Sequence, residues 1–139
     1  DWIGWVELET EEIRAAASEN LARVLDAVGA DVVGVVEAEH RTALKRFNDR
    51  VMPIVGASPY RHAMLIDGND DRGIDVGLLA RAAHPIRSMR SHVDDCDEQG
   101  PIFSRDCPEY ELALPGGGSL WLLVNHLKSK GYGRQADND

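Results

Sequence analysis

The chain has 139 residues, 43% hydrophobic and 28% charged, which is the balance of one globular domain with one core and excludes a disordered protein. No apolar run approaches the ~20 residues of a membrane-spanning helix. The formal net charge of −9 argues against a dedicated nucleic-acid-binding module, but it leaves room for an enzyme that grips phosphate with a local basic patch.

The N-terminal stretch DWIGWVELETEE has neither the basic nor the apolar region of a signal peptide. The first expected element is a helix over residues 10–28. Thr10 can cap it, Glu11 and Glu12 suit its first turn, and Gly29 can end it. Ile13, Leu21, Val24, Leu25 and Val28 share one stripe at helical spacing. Residues 31–37 form a short β-branched run that suits a strand buried on both faces and ends in charge at Glu37, Glu39 and His40. A second helix is expected over residues 41–51, ending before Pro53. The texture then changes. Residues 62–66, 74–80, 86–92, 110–114 and 119–126 read as strands, several of them separated by turn-rich segments at 67–73 and 115–118. The pattern predicts a layered α/β (α+β) domain with a mixed, largely antiparallel sheet.

Cys96 and Cys107 leave two states open: a disulfide across a short loop, which would fit an exported protein, and two reduced thiols. Secreted and cytoplasmic settings both stay open. With no CxxC and only His92 nearby, the pair does not make a four-ligand zinc site.

Three places could carry chemistry. Glu37, at the end of a strand, is placed to hold a hard cation such as Mg2+, against the alternative of an ordinary strand-end charge in water. In WLLVNHLKSK (residues 121–130), an apolar strand runs into Asn125, His126, Lys128 and Lys130, which can bind phosphate and supply a proton-transfer group. A strand-end histidine can equally be structural. Asp75 begins an otherwise apolar strand, so a buried carboxylate there needs a partner. A histidine on an adjacent strand would serve, and so would backbone amides of its own turn.

Other motifs fail. Asp67, Asn69 and Asp71 have calcium-loop spacing, but Arg72 stands where the glycine is needed and Leu78 where the closing glutamate is needed. The run Gly116–Gly118 is not followed by Gly-Lys-Ser/Thr, so it is no P-loop, and there is no GxSxG elbow. Asp94, Asp95, Asp97 and Glu98 read as a solvated acidic loop.

Taken in order, the pieces resemble the endonuclease/exonuclease/phosphatase superfamily, which includes deoxyribonuclease I. GADVVGVVEAEH (residues 29–40) resembles the family's strand-then-glutamate motif, with Val36 where the family usually has Gln. RGIDVGLLAR (72–81) is similar to its central strand, and LLVNHLKSKGYG (122–133) and IFSRDCPEY (102–110) are similar to segments of bacterial extracellular-nuclease-like members. The resemblance implies half of a four-layered α/β/β/α sandwich, the first strand and the C-terminal half lying outside residues 1–139. It implies Mg2+-dependent phosphodiester or phosphomonoester hydrolysis, with Mn2+ or Ca2+ as alternative ions. Glu37 would be a metal ligand and His126 an active-site histidine oriented by Asp75. Arg105, Asn125, Lys128 and Lys130 would contact substrate phosphate. The implied substrate is nucleic acid. A lipid-headgroup or inositol phosphate, and a non-catalytic binding domain of the same fold, are the alternatives. The residues present are expected to be inactive alone.

Overall fold

The computed structural model describes residues 10–127. Its helical elements are α1 (Glu11–Val28), α2 (Arg41–Arg46), a π-turn (Phe47–Val51) and α3 (Met52–Ile54). Its strands are β1 (Val32–Ala38), β2 (His62–Leu65), β3 (Asp75–Ala80), β4 (Ile86–Arg90), β5 (Cys96–Asp97), β6 (Gly100–Pro101), β7 (Glu109–Ala113) and β8 (Ser119–Leu123). All strand pairs are antiparallel, in two three-stranded sheets ordered β1-β3-β2 and β4-β7-β8 and one two-stranded ribbon, β5-β6.

The central strand organises both faces. All six residues of β3 are buried, and period-two alternation sends them to opposite sides. Leu79 joins Leu44, Met52, Ala22 and Leu65 beneath the helices. Val76, Leu78 and Ala80 join Tyr110, Leu112 and Val124 between the two sheets. The described chain therefore stacks helices, the β1-β3-β2 sheet and the β4-β7-β8 sheet. Gly77 lies on the helix-facing side, where a Cβ would sit 2.8 Å from the Met64 carbonyl oxygen and 3.2 Å from Leu44 Cδ2. Its missing side chain is what lets α2 approach the sheet.

Three expectations change. First, β1 is an edge strand only half covered, with Val36 50% exposed, so the strand buried on both faces is β3 instead. Second, Thr10 Oγ1 accepts from the Ile13 N–H at 3.2 Å as the cap requires, yet the predicted stripe is not the buried one. Ala22 is buried and Leu25 packs on the core, while Ile13, Leu21, Val24 and Val28 face solvent. Third, the second helix runs through Pro53. Asn48, 1% exposed, sits in the π-turn and donates to the Tyr60 carbonyl at 2.9 Å while its Oδ1 accepts from the Tyr60 N–H at 2.7 Å. Pro53 then falls in the first turn of α3, where its missing N–H is tolerated.

The strand ends Ala38, Leu65, Asp75, Arg90, Glu109 and Leu123 gather at one mouth of the sandwich, as the registers Ala38↔Asp75 and Glu109↔Leu123 require. Two loops, 66–74 and 91–108, are knitted together there. Asp106, fully buried, accepts from Ser91 Oγ at 2.7 Å, the His92 N–H at 2.7 Å and the Cys107 N–H at 2.8 Å. Asn69 donates to the Val93 and Phe103 carbonyls. Cys107 is buried within this network while Cys96 is exposed, and the two are unlinked. His92 lies between two carboxylates, Nδ1 at 2.7 Å from Asp95 Oδ2 and Nε2 at 2.9 Å from Glu109 Oε1. A neutral ring can donate from only one nitrogen, so both bonds form only in the imidazolium.

This knot of loops can be tested at two positions. Gly68 is wedged where a Cβ would meet Asp75 Oδ1 at 2.8 Å, Asp106 N at 2.9 Å and Arg105 Cα at 3.0 Å. Gly68→Ala therefore lowers unfolding stability by about 1–3 kcal/mol. Gly34→Ala, whose Cβ would meet only Val124 at 3.6 Å, is the near-neutral control in the same denaturant titration. The bonds from Asp95 and then Glu109 raise the His92 pKa above its ordinary value of 6.5, against burial and Arg90. Since the folded pKa exceeds the unfolded one, this stabilisation is complete below pH ~6.5 and is lost as pH rises through the folded value. Chemical denaturation across that window shows the decline in the parent chain and a flatter profile in His92→Gln.

Candidate active site

The two motifs placed furthest apart in the sequence meet at the mouth. β1 pairs regularly with β3 from Val32↔Ala80 to Val35↔Gly77, then resumes at Ala38↔Asp75, so Val36 and Glu37 together oppose Val76. That is a β-bulge, and Glu37 adopts φ +60°, the one described non-glycine residue with positive φ. A left-handed conformation costs an L-residue about 1–2 kcal/mol, and such strain concentrates at functional sites. Its effect is to turn a residue out of the alternation, so the Glu37 side chain is 63% exposed at the rim.

After β8 the chain bends across to the other sheet. The Val124 N–H donates to the Pro108 carbonyl at 3.2 Å, and the Val124 side chain packs over Gly34 of β1. Two residues on, His126 Nε2 lies 3.6 Å from Glu37 Oε1. The ring is largely covered, 23% exposed, and its Nδ1 is buried with no hydrogen-bond partner among the described residues. Asn125 beside it is exposed. Lys128 and Lys130 lie outside the described residues.

The expected Asp75–His126 bond does not form. Asp75 Oδ1 instead accepts the Gly68 N–H at 2.7 Å, closing its own turn, and the carboxylate facing His126 is Glu37. The reason is register: Asp75 sits opposite Ala38, where the loop 66–74 folds back over it. Burial pushes the Asp75 carboxyl above its ordinary pKa, the Gly68 N–H opposes this, and Asp67, Asp70 and Asp106 add to the rise. Arg105 is not presented to a substrate either. It is 6% exposed and its Nη2 is 2.7 Å from Asp70 Oδ2, an oxygen also held by Arg72 at 2.9 Å. Its Nε is buried and unpartnered among the described residues, as is the Tyr110 hydroxyl. Burial, with Asp106 adding to it, raises the Tyr110 pKa far above its ordinary value.

Sequence reading missed Asp70, Asp106 and His40. His40 caps α2, its Nδ1 accepting the Ala43 N–H at 3.0 Å, which fixes how the helix leaves the site. A histidine just before a helical run was the available signal. Nothing in the spacing distinguished Asp106 from its acidic neighbours.

Among the described residues, no group of three or more His, Cys, Asp and Glu side chains is disposed to hold a metal ion. A hard ion such as Mg2+ that keeps most of its shell as water and substrate phosphate would need only one carboxylate from the chain. Glu37, exposed at the rim, is the side chain that fits.

The positive φ at residue 37 yields a stability test. Asn tolerates this conformation, so Glu37→Asn leaves the unfolding free energy unchanged or raises it by up to about 1 kcal/mol in thermal and denaturant melts. A loss of more than ~1 kcal/mol would show that Glu37 stabilises the fold rather than being strained within it.

No protein-family model matches the chain, and no curated protein or solved structure matches it.

Proposed function

We propose that residues 1–139 are part of a Mg2+-dependent phosphodiesterase of the endonuclease/exonuclease/phosphatase superfamily, acting on nucleic acid. The observation that carries this reading is the approach of His126 to Glu37 at a strained bulge. The two residues come from different sheets and from the two segments whose motifs resemble the family's site. The bulge turns Glu37 out of the alternation of its strand and toward the imidazole.

A divalent ion held by Glu37 would supply positive charge at the phosphoryl oxygens. The remaining steps belong to the chain. Glu37 Oε1, 3.6 Å from His126 Nε2, is near enough to orient the ring. His126 can then donate to a phosphoryl oxygen or deliver a proton to a departing oxygen. The buried Nδ1 needs a partner, since an unsatisfied polar atom costs about 1–3 kcal/mol. Asn125, exposed next to His126, would contact phosphate in this reading. Asp75 and Arg105 act here as positioning residues through the loops they hold.

The same reading completes the four-layered sandwich. Trp121 is 56% and Leu123 57% exposed on the outer face of the β4-β7-β8 sheet, and β8 has no neighbour on its other edge among the described residues. A second half of the fold would cover that face and edge.

The test is nicking of supercoiled plasmid by the full-length protein with Mg2+ or Mn2+. Glu37→Ala and His126→Ala should each lower kcat/KM at least ~100-fold with the melting transition intact. Residues 1–139 alone should not nick. Undiminished cleavage by both variants would remove the pair from the chemistry, and robust cleavage by residues 1–139 would show that the site is complete within them.

A further inference from the structure

The segment leading away from the mouth is basic on one face, although the chain as a whole carries 24 Asp and Glu against 15 Lys and Arg. Over residues 41–50, α2 and its π-turn present Arg41, Lys45, Arg46 and Arg50, which with Thr42 and Asp49 line one shallow depression of about 240 Å3. Asp49 is the single carboxylate there, and it is engaged by Lys45. Among the described residues, Arg41, Arg46 and Arg50 make no ion pair. Lys45 and Asp49 also line a neighbouring groove of about 840 Å3 that contains Arg61 and Arg81 together with Asp31. Arg81 is held in place. Its guanidinium lies 3.9 Å from the Tyr60 ring centre, and it donates to the Ser58 and Pro59 carbonyls.

The row has a direction. It starts after His40, three residues after Glu37, and its Lys45 and Asp49 share a groove with Arg81, which follows the last residue of β3 at the end opposite Asp75. Residues 41–51 span roughly 15 Å at ~1.5 Å per residue, about four or five nucleotides of a duplex strand at ~3.4 Å each. The apolar side chains of this segment are turned inward. Leu44 is buried and Phe47 and Val51 pack against the same core, while the exposed Ile54 lies beyond the row. A lipid surface calls for apolar side chains beside the basic ones. A row of unpaired guanidinium groups without them suits a phosphate backbone.

We propose that the face formed by Arg41, Lys45, Arg46 and Arg50 is a nucleic-acid track that binds the backbone of the strand running away from the Glu37–His126 mouth. This rests on the phosphodiesterase reading for its substrate class and adds where, outside the site, that substrate is held. The track explains how an acidic protein grips a polyanion. The binding is local, sequence-independent and steeply dependent on salt.

The test uses full-length protein in EDTA and a fluorescent DNA duplex, with anisotropy followed across about 50 to 200 mM salt. Arg46→Gln/Arg50→Gln should weaken binding and lower the slope of log K against log salt by up to about 2, near 0.9 for each phosphate that is no longer neutralised. Arg23→Gln, on α1, is the control and should leave both unchanged. With Mg2+, the double variant should lose plasmid cleavage at low DNA concentration while hydrolysing bis(p-nitrophenyl) phosphate as the parent does. Unchanged affinity and slope in the double variant overturns the track, even if plasmid is still cut. So does an equal loss on the small ester, or lost binding to phosphatidylserine vesicles with DNA binding intact. If the parent binds DNA with the expected slope change but hydrolyses neither substrate, the track stands and the phosphodiesterase reading fails.

Discussion

The burial of β3 on both faces is the constraint on which the other parts depend. A strand with Val76, Leu78 and Ala80 on one side and Leu79 on the other cannot be satisfied by a single covering layer. It needs helices on one face and a second sheet on the other, and it must be central, with β1 and β2 completing its backbone hydrogen bonds. The cost appears at the first residue. Asp75 enters this strand at 3% exposure, and its carboxylate must find a donor inside the protein. The loop 66–74 supplies one by folding back until the Gly68 N–H reaches it. That return explains why residue 68 has no side chain, and why loops 66–74 and 91–108 are locked together behind the mouth.

Much of this was legible in the sequence because periodicity and turn chemistry report local physics. The helix start at Thr10, the change of texture after Pro53 and the main strands all appear where capping, β-branching and glycine-rich turns place them. What failed were statements about partners. The stripe Ile13, Leu21, Val24, Leu25 and Val28 is a real helical stripe, yet only Leu25 of it packs on the core, because helix periodicity does not say which stripe faces inward. Small residues decided it, with Ala22 packing where a larger side chain would hold α1 away. The β1 run was rich enough in valine to read as central, yet strand order is a tertiary property, and β1 lies at the edge. The acidic residues Asp94, Asp97 and Glu98 are exposed as the sequence suggests, and only the short ribbon β5-β6 among them leaves no pattern, because its strands are two residues long.

The candidate site shows the same division. Glu37 and His126 were visible as polar residues ending apolar runs. Their nearness was not, since it depends on a one-residue insertion in one ladder and on a short bend after β8. The bulge is also why the pairing first expected, Asp75 with His126, gives way to Glu37 with His126. Without it Glu37 would follow the alternation of Val33 and Val35 toward the helices, and the imidazole would face no carboxylate.

An edge strand is where such a device can be built. A bulge in β3 would break hydrogen bonds on both sides and displace side chains in both cores. In β1 it disturbs one ladder and leaves the outer edge free. The same position sets the exit of the chain. Immediately after the bulge, His40 caps α2 and points that helix along the sheet, carrying Arg41, Lys45 and Arg46 away from the mouth. Asn48 then binds both backbone groups of Tyr60 through the π-turn, so the far end of the basic row is fixed to the loop against which Arg81 rests. One short stretch, residues 36–50, thus holds the strained carboxylate, the helix cap and the cationic face in fixed relation. The central strand can remain wholly apolar beyond Asp75 because its neighbour at the edge carries the polar work.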